Sequence, residues 1–303
     1  MQLHFHTLDV FTERTFGGNP LAVFPDAAHL STDLMQHIAR EMNLSETVFL
    51  GFPETKEGAA RVRIFTPGVE VPFAGHPTIG TAVFLASLLA QPEENRVTLV
   101  LEENIGLVPV DVLFEDSHPT FAQFTTAMLP EYRPSPHSAT ELAAMVGLAE
   151  SDLCPEGLGL AMVSCGLPYH VVPVKSVSAI RRAVLDTARW RKLLAENWAH
   201  HVYLVCPEAE GEGVDVRVRM FAPGSGVPED PATGSAAAAL GGYLSAADGH
   251  KNGRLTWTIE QGLEVGRPSL LYVEVDRLGG EITAVRVGGH VIAVSQGTMT
   301  VPD

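Results

Sequence analysis

A single glutamate near the start of an apolar segment is the first candidate for chemistry in this sequence. Glu46 lies in the stretch Leu-Ser-Glu-Thr-Val-Phe-Leu, where four of its six neighbours are apolar. Apolar surroundings disfavour the charged form of a carboxyl group, and a carboxyl of that kind can take up and return a proton near neutral pH. An edge glutamate that faces water fits the same seven residues. This segment alone therefore leaves the role of Glu46 open.

Two glycine-containing loops, each followed by a helix of small residues, predict a binding site for an anion. Gly75 and His76 begin the first helix, and Gly234 and Ser235 begin the second. The first turn of a helix presents unpaired N–H groups and the positive end of the helix dipole, which attract carboxylate or phosphate. Glycine lets the backbone approach such a ligand because it has no Cβ. One such loop is more often a plain helix start, whereas two corresponding loops favour a shared site.

Two further side chains beside these loops could contact a substrate. Asp230 precedes Pro231, which holds it in an extended conformation ahead of the second helix. It is either a ligand for a substrate amine or hydroxyl, or simply a partner of the helix dipole. His76, at the start of the first helix, should be mainly neutral and able to donate a hydrogen bond.

Both loops belong to an internal repeat. Residues 63–68 match residues 219–224, residues 43–50 match 197–204, and residues 19–23 match 167–171. In this alignment Glu46 corresponds to His200, so the halves carry different groups there. The second loop is longer, and we assign Glu229 and Asp230 to the expansion. A duplicated unit predicts two similar lobes related by a pseudo-twofold axis, with a site between them.

The chain length and its turn residues suggest where these lobes divide. At about 150 residues per domain, 303 residues predict about two domains. Residues 129–138 contain three prolines and are the best linker candidate. We therefore expect an N-terminal lobe over 1–127, a C-terminal lobe over 128–285, and a final strand, 286–303, that returns to the first lobe. A long helix is expected over residues 177–199.

Composition excludes several classes of function. The formal net charge of −16 argues against partners such as nucleic acid or an anionic membrane surface. There is no secretory signal and no apolar run long enough to span a bilayer, so a cytoplasmic location is expected. Neither a P-loop nor a complete dinucleotide-binding glycine motif occurs. The histidine pairs lack a third ligand at a recognisable spacing, so we expect no metal site.

Several motifs resemble those of the PhzF-like family of phenazine biosynthesis, which is related in fold to diaminopimelate epimerase. The most specific are Asn-Leu-Ser-Glu-Thr at 43–47, Gly-His-Pro-Thr at 75–78 and Asp-Pro-Ala-Thr-Gly-Ser at 230–235. Further matches lie at residues 9–12, 16–20, 63–67, 261–262 and 287–289, so the resemblance covers nearly the whole chain.

The resemblance implies an α+β fold in which each lobe is a mixed, barrel-like sheet wrapped round a central helix. It also implies that Glu46 moves a proton between carbons without a cofactor, while His76, Asp230 and Ser235 hold the substrate or assist, and that the protein is a homodimer. The epimerases use two cysteines at the helix starts. Here Ala74 and Thr233 align with them, which excludes a two-thiol mechanism.

Our hypothesis is a cofactor-independent isomerase for a small carboxylate or amino-acid-like substrate. The N–H groups of Gly75 and Gly234 would hold the substrate carboxylate, helped by His76 and Ser235, and Asp230 would hold an amine or hydroxyl. Two alternatives remain open. One is a racemase or epimerase that uses Glu46 and a second group, and the other is a small-molecule binding protein without turnover.

Overall fold

The computed structural model describes residues 1–89 and 94–302. The fold is α+β and divides into two compact units. The first unit comprises residues 1–125 together with the chain from Gly288 onward, and the second comprises residues 126–287.

The first unit is a mixed sheet with one buried helix and one surface helix. Its strands are β1 (Gln2–Val10), β2 (Asn19–Phe24), β3 (Glu46–Gly51), β4 (Ala60–Phe65), β5 (Glu70–Val71), β6 (Arg96–Glu103), β7 (Gly106–Glu115) and β8 (His118–Thr125). Its helices are α1 (Thr32–Met42) and α2 (Gly75–Ser87). Ser31 caps α1 through the N–H of Leu34, as its place before the apolar periodicity predicts.

Helix α2 is the centre of the first unit. Every residue from Gly75 to Phe84 is buried, so the helix has no polar face and must be surrounded by other elements. It contacts six of the strands, β1, β2, β3, β6, β7 and β8. Gly80 allows this close approach, because a Cβ there would lie 2.6 Å from Leu21 and 2.8 Å from Val10. The run of small residues read from the sequence therefore forms the core of this unit.

The second unit repeats this plan and adds helices on its outer side. Its strands are β9 (Glu131–Pro134), β10 (Ala161–Ser164), β11 (Pro168–Pro173), β12 (His201–Cys206), β13 (Val216–Ala222), β14 (Val227–Asp230), β15 (Gly253–Gln261), β16 (Ser269–Leu278) and the start of β17 (Glu281–Thr300). Its helices are α3 (Ala139–Met145), α4 (Val177–Arg182), α5 (Thr187–Leu193) and the buried α6 (Gly234–Ala247). The rest of β17 pairs antiparallel with β1.

Strand pairing confirms the internal repeat. In the first unit β2 and β3 are parallel, β3 and β4 antiparallel, and β4 and β6 parallel. In the second unit the same relations hold for β11 and β12, β12 and β13, and β13 and β15. Each unit is thus a mixed sheet round a central helix, as the family resemblance implied.

Register corrects one residue of the predicted alignment. Leu21 pairs with Glu46 across β2 and β3, and Tyr169 pairs with His201 across β11 and β12. The second-unit counterpart of Glu46 is therefore His201, and the prediction of His200 was wrong. Asn43 and Asn197, which correspond in the sequence, precede their strands by three and four residues, so the two connections differ by one residue.

The place of the loop expansion also differs from the prediction. Glu229 binds Arg219 just as Glu70 binds Arg63, so these two glutamates correspond. The extra residues instead form a 3₁₀ turn over Pro223–Ser225, ahead of β14. Asp230 pairs with Met220, the position that Val71 occupies opposite Ile64. The aspartate therefore replaces an apolar residue of the first unit.

The long helix expected over residues 177–199 is two short helices. Ala183 leaves the helical conformation with ψ of 132° and ends α4. Asp186 then caps α5 by accepting hydrogen bonds from the N–H groups of Ala188 and Arg189. This break lets Trp190 and Leu194 pack into the apolar cluster under β12. Across residues 1–89 and 94–302, no helix is long and apolar enough to cross a membrane.

Candidate active site

Glu46 and His76 meet at the start of α2. Glu46 is the first residue of β3 and His76 the second of α2, and their Oε2 and Nε2 atoms lie 3.4 Å apart. The Glu46 side chain is 18% exposed, whereas that of His76 is almost fully buried. The apolar strand thus places one carboxyl at the edge of the core, beside the first turn of the central helix.

The imidazole of His76 is uncharged at neutral pH. Burial lowers the pKa of His76 to about 3. Its contact with Glu46 is therefore one between a neutral ring and a carboxyl group rather than an ion pair. Among the described residues, the Nε2 atom has no partner with hydrogen-bond geometry. The ring is therefore able to hydrogen-bond a ligand without carrying charge.

Neither central helix has a side-chain cap. The N-cap residue of α2 is Ala74, which has no polar side chain, and the N-cap residue of α6 is Thr233, whose hydroxyl does not bond the first helical turn. At most helix starts in soluble proteins, Ser, Thr, Asp or Asn accepts a hydrogen bond from one of the first N–H groups. The first-turn N–H groups of these two helices, which begin at Gly75 and Gly234, are thus not covered by an N-cap side chain.

Asp230 is held rigidly in the second unit. It is buried at the end of β14, and its Oδ2 accepts a 2.5 Å hydrogen bond from the hydroxyl of Thr233. Gln261 donates to the carbonyl of Asp230 at 2.8 Å and to the Thr233 hydroxyl at 3.0 Å. These bonds fix the loop that leads into α6.

Ser235 lies one residue inside α6 and contacts a tyrosine. Its Oγ is 2.6 Å from the Oη of Tyr169, which is buried on β11. The rings of His201 and Tyr203 lie beside that tyrosine, at centroid distances of 5.7 and 6.1 Å. Burial lowers the pKa of His201 to about 4, so this aromatic group is uncharged.

The structure thus groups the predicted residues within each unit. Glu46, Gly75 and His76 come together at the start of α2, and Asp230, Gly234 and Ser235 at the start of α6. Sequence reasoning missed the contacts of Tyr169, Thr233 and Gln261 with the second group. Only the match of residues 167–171 with residues 19–23 had pointed to the strand that carries Tyr169.

The arginines of the repeat have a structural role. Arg63 makes a bidentate ion pair with Glu70, at 2.8 and 2.6 Å, and Arg219 makes one with Glu229, at 2.8 and 2.7 Å. The hydrogen bond from Arg63 keeps the pKa of Glu70 below its usual value. These charges are paired within their own units, so we do not count them among the residues that bind substrate.

Known proteins are similar to this chain over nearly its whole length. The family model for phenazine biosynthesis-like proteins, PhzC-PhzF, matches residues 8–297. An uncharacterized isomerase of Mesorhizobium japonicum is 42% identical over 294 residues, covering 96% of each chain. The trans-2,3-dihydro-3-hydroxyanthranilate isomerase of Pseudomonas aeruginosa is 36% identical over 309 residues, again covering 96% of each chain.

A solved structure shares the whole fold. The PhzF-family phenazine biosynthesis protein of Bacillus anthracis matches with a TM-score of 0.89 at 26% identity, covering 99% of this chain and 100% of that one. Because the family model and the relatives span nearly the full chain, this protein belongs to the family of PhzC-PhzF phenazine biosynthesis-like proteins and is an isomerase.

Proposed function

We propose that the protein moves a proton between two carbons of a small carboxylate or amino-acid-like substrate, without a cofactor and with Glu46 as the acid/base. One observation carries this proposal: a partly exposed carboxyl lies 3.4 Å from a neutral histidine at the uncapped start of a buried helix. The relative from Pseudomonas aeruginosa, named for a dihydro-hydroxyanthranilate, acts on a substrate of this class.

The proposed reaction needs one group that both takes and returns a proton. Glu46, as a carboxylate, removes a proton from a carbon next to a conjugated system, and the electron pair of the broken C–H bond spreads into that system. The proton on the Glu46 carboxyl, which is 18% exposed, exchanges with solvent. The protonated Glu46 then delivers a proton to another carbon, where a new C–H bond forms. No oxidant or reductant is consumed. General acid–base catalysis of this kind contributes typically about 10²–10⁴-fold to the rate.

The remaining residues would bind the substrate and keep its charge in place. The N–H groups at each helix start, Gly75 in the first unit and Gly234 in the second, are the ones proposed to bind carboxylate, because helix starts stabilise anions. His76 and Ser235 add hydrogen bonds to it. Asp230, fixed by Thr233 and Gln261, holds an amine or hydroxyl. Electrostatic stabilisation at these helix starts supplies the rate enhancement that proton transfer alone does not.

Solvent exchange tests this proposal directly. A panel of cyclic and acyclic amino acids, including trans-2,3-dihydro-3-hydroxyanthranilate, is incubated with the protein in D₂O and followed by mass spectrometry and NMR. We expect deuterium at a carbon of at least one substrate, with a shifted double bond. Exchange with inversion at a single carbon would instead indicate a racemase, and tight binding without any exchange would indicate a binding protein.

Replacing Asp230 should weaken both binding and turnover. Asp230→Ala removes the proposed partner of the substrate amine or hydroxyl and also leaves the Thr233 hydroxyl without its acceptor. Removing a charged hydrogen-bond partner typically costs about 1.5–3 kcal/mol, so we expect Kd to rise by roughly tenfold or more. Calorimetric titration measures this change. Thr233→Val is the matched control, because it breaks the same hydrogen bond but keeps the carboxylate; an equal loss in both variants would limit Asp230 to a structural role.

The pH profile should not report His76. Because burial lowers the pKa of His76 to about 3, the ring stays neutral throughout the range from pH 5 to 9. Any loss of activity on the acid side of that range must come from another group, so His76→Asn should lower the rate but keep the wild-type midpoint. A midpoint near pH 6 that disappears in His76→Asn would show that the ring titrates and would contradict this assignment.

A further inference from the structure

A second glutamate lies beneath the start of α2. Glu103 is the last residue of β6, is 5% exposed, and is not part of the proposed proton transfer. Its Oε1 atom lies 2.6 Å from the hydroxyl of Thr78, which is fully buried two residues after His76. Within the described part of the chain, its Oε2 atom is buried and has no hydrogen-bond partner.

The hydrogen bonds at Thr78 require one more proton than the threonine can supply. Its hydroxyl oxygen lies 2.7 Å from the carbonyl of Ala74 and 2.6 Å from Glu103. A carbonyl oxygen only accepts, and a hydroxyl has a single proton. If Thr78 donates to Ala74, the bond between Thr78 and Glu103 forms only when the carboxyl itself donates. Both bonds are therefore made at once when Glu103 is un-ionised.

We propose that Glu103 is held as an un-ionised carboxylic acid that positions the start of α2, and with it Gly75 and His76, through Thr78 and Ala74. Glu103 is thus a positioning residue rather than a catalytic one. Its effect on turnover depends on the function proposed above, whereas its protonation does not.

The electrostatic environment of Glu103 also favours its un-ionised form. Burial raises the pKa of Glu103 to about 8, although the Thr78 hydroxyl and the charge of Arg61 act in the opposite direction. The facing residue on β7 is Gly106, which has no charge to offer. The ionisable groups on the neighbouring elements include Arg61 on β4, Glu102 on β6, Glu46 on β3 and His76 on α2. They also include Arg63 on β4, which is paired with Glu70 on β5.

These neighbours do not supply a counter-ion for a Glu103 carboxylate. The Arg61 guanidinium donates to the carbonyl of Glu102 at 2.6 Å and pairs with Glu54. Glu102 accepts hydrogen bonds from the N–H groups of Glu54 and Thr55. The α2 dipole stabilises an anion at this end of the helix. Burying a carboxylate oxygen that has no hydrogen-bond donor is unfavourable by more free energy than the dipole supplies.

The second unit has a neutral residue at the same place. Arg61 pairs with Glu102 across β4 and β6, and Arg217 pairs with Glu260 across β13 and β15, so the next residues, Glu103 and Gln261, correspond. Gln261 cannot ionise, and it hydrogen-bonds the Asp230–Thr233 loop just before α6. In each unit an uncharged side chain from this strand end thus fixes the entry to the central helix.

The carboxyl of Glu103 can be titrated without any substrate. In protein labelled with ¹³C at glutamate carboxyl carbons, the signal that Glu103→Gln removes is followed from pH 5 to 10, together with the backbone amide signals of Gly75 and His76. We expect a midpoint near 8 for the carboxyl and for both amides, with no such step in the amides of Glu103→Gln. A Glu103 carboxyl already ionised at pH 6, or amides that do not follow it, would overturn the proposal. If Glu103→Gln does not fold, Thr78→Val, which removes the hydroxyl, identifies the signal by shifting it.

Deuterium exchange then connects this titration to function. Relative to its own rate at pH 7, wild-type exchange should fall about tenfold at pH 9, because about a tenth of the molecules keep the proton one unit above the pKa. Glu103→Gln should lose this alkaline fall. An alkaline fall that persists unchanged in Glu103→Gln would contradict the positioning role. Absence of exchange on every substrate would instead count against the isomerase mechanism and leave the NMR result to decide on Glu103.

Discussion

Replacing Glu46 by glutamine should abolish most proton transfer and leave substrate binding nearly unchanged. Glutamine keeps the shape of the side chain and its ability to hydrogen-bond beside His76, 3.4 Å away, but it cannot accept a proton from carbon. Loss of a general base typically costs about 10²–10⁴-fold in rate. The proposed contacts of the substrate with Gly75, Asp230 and Gly234 do not involve Glu46, so Kd should change little.

Solvent deuterium exchange at saturating substrate measures this loss, and calorimetry measures Kd in the same samples. Glu57→Gln is the matched control, because Glu57 is an exposed glutamate of the same unit and its replacement changes the net charge equally. The control should exchange at the wild-type rate. Wild-type exchange in Glu46→Gln, with substrate demonstrably bound, would place the proton transfer on another residue.

The central helices could be predicted from the sequence because their residues are small or apolar on every side of the helix, which requires burial. A helix such as Gly75–Ser87, with small and apolar residues on all sides, is stable only when other elements surround it. Repeated motifs before both helices then predicted equivalent lobes, and the strand pairings bear this out. Register was harder to predict. Connections of different length precede β3 and β12, so the counterpart of Glu46 could be identified only from its pairing.

Glu102 and Glu103 show what a sequence cannot distinguish. They are adjacent and chemically identical, yet hydrogen bonds from the backbone N–H of Glu54 and from Thr55 lower the pKa of the first, whereas burial raises that of the second to about 8. The difference arises because successive side chains of a strand point to opposite faces. Which face of β6 lies under α2 depends on its parallel pairing with β4, a contact between residues about 40 positions apart.

The arginine pair of the second unit should contribute far more stability than its counterpart in the first. Arg219 is 8% exposed, and besides Glu229 it binds the carbonyls of Ile180 and Ala183 at 3.0 and 2.7 Å. Arg219→Met leaves a partly buried carboxylate, that of Glu229, and two buried carbonyls without their donor. Loss of such a donor typically lowers the free energy of unfolding by about 3–5 kcal/mol. Arg63 is 24% exposed, so water can solvate the groups that Arg63→Met leaves. For Arg63→Met we expect the free energy of unfolding to fall by about 1 kcal/mol.

The positions of the tryptophans allow the stability lost in Arg219→Met to be measured separately from that lost in Arg63→Met. All three, Trp190, Trp198 and Trp257, lie in the second unit, so their fluorescence reports the urea unfolding of that unit, while circular dichroism reports both. Arg219→Met should move the fluorescence midpoint strongly, and Arg63→Met should leave it almost in place with a small change in dichroism. Equal shifts of the fluorescence midpoint in both variants would show that burial does not determine how much these ion pairs contribute to the free energy of unfolding. Arg63 and Arg219 would then stabilise their units equally. The hydrogen bonds of Arg219 to the carbonyls of Ile180 and Ala183, at the end of α4, would then add little to the stability of the second unit.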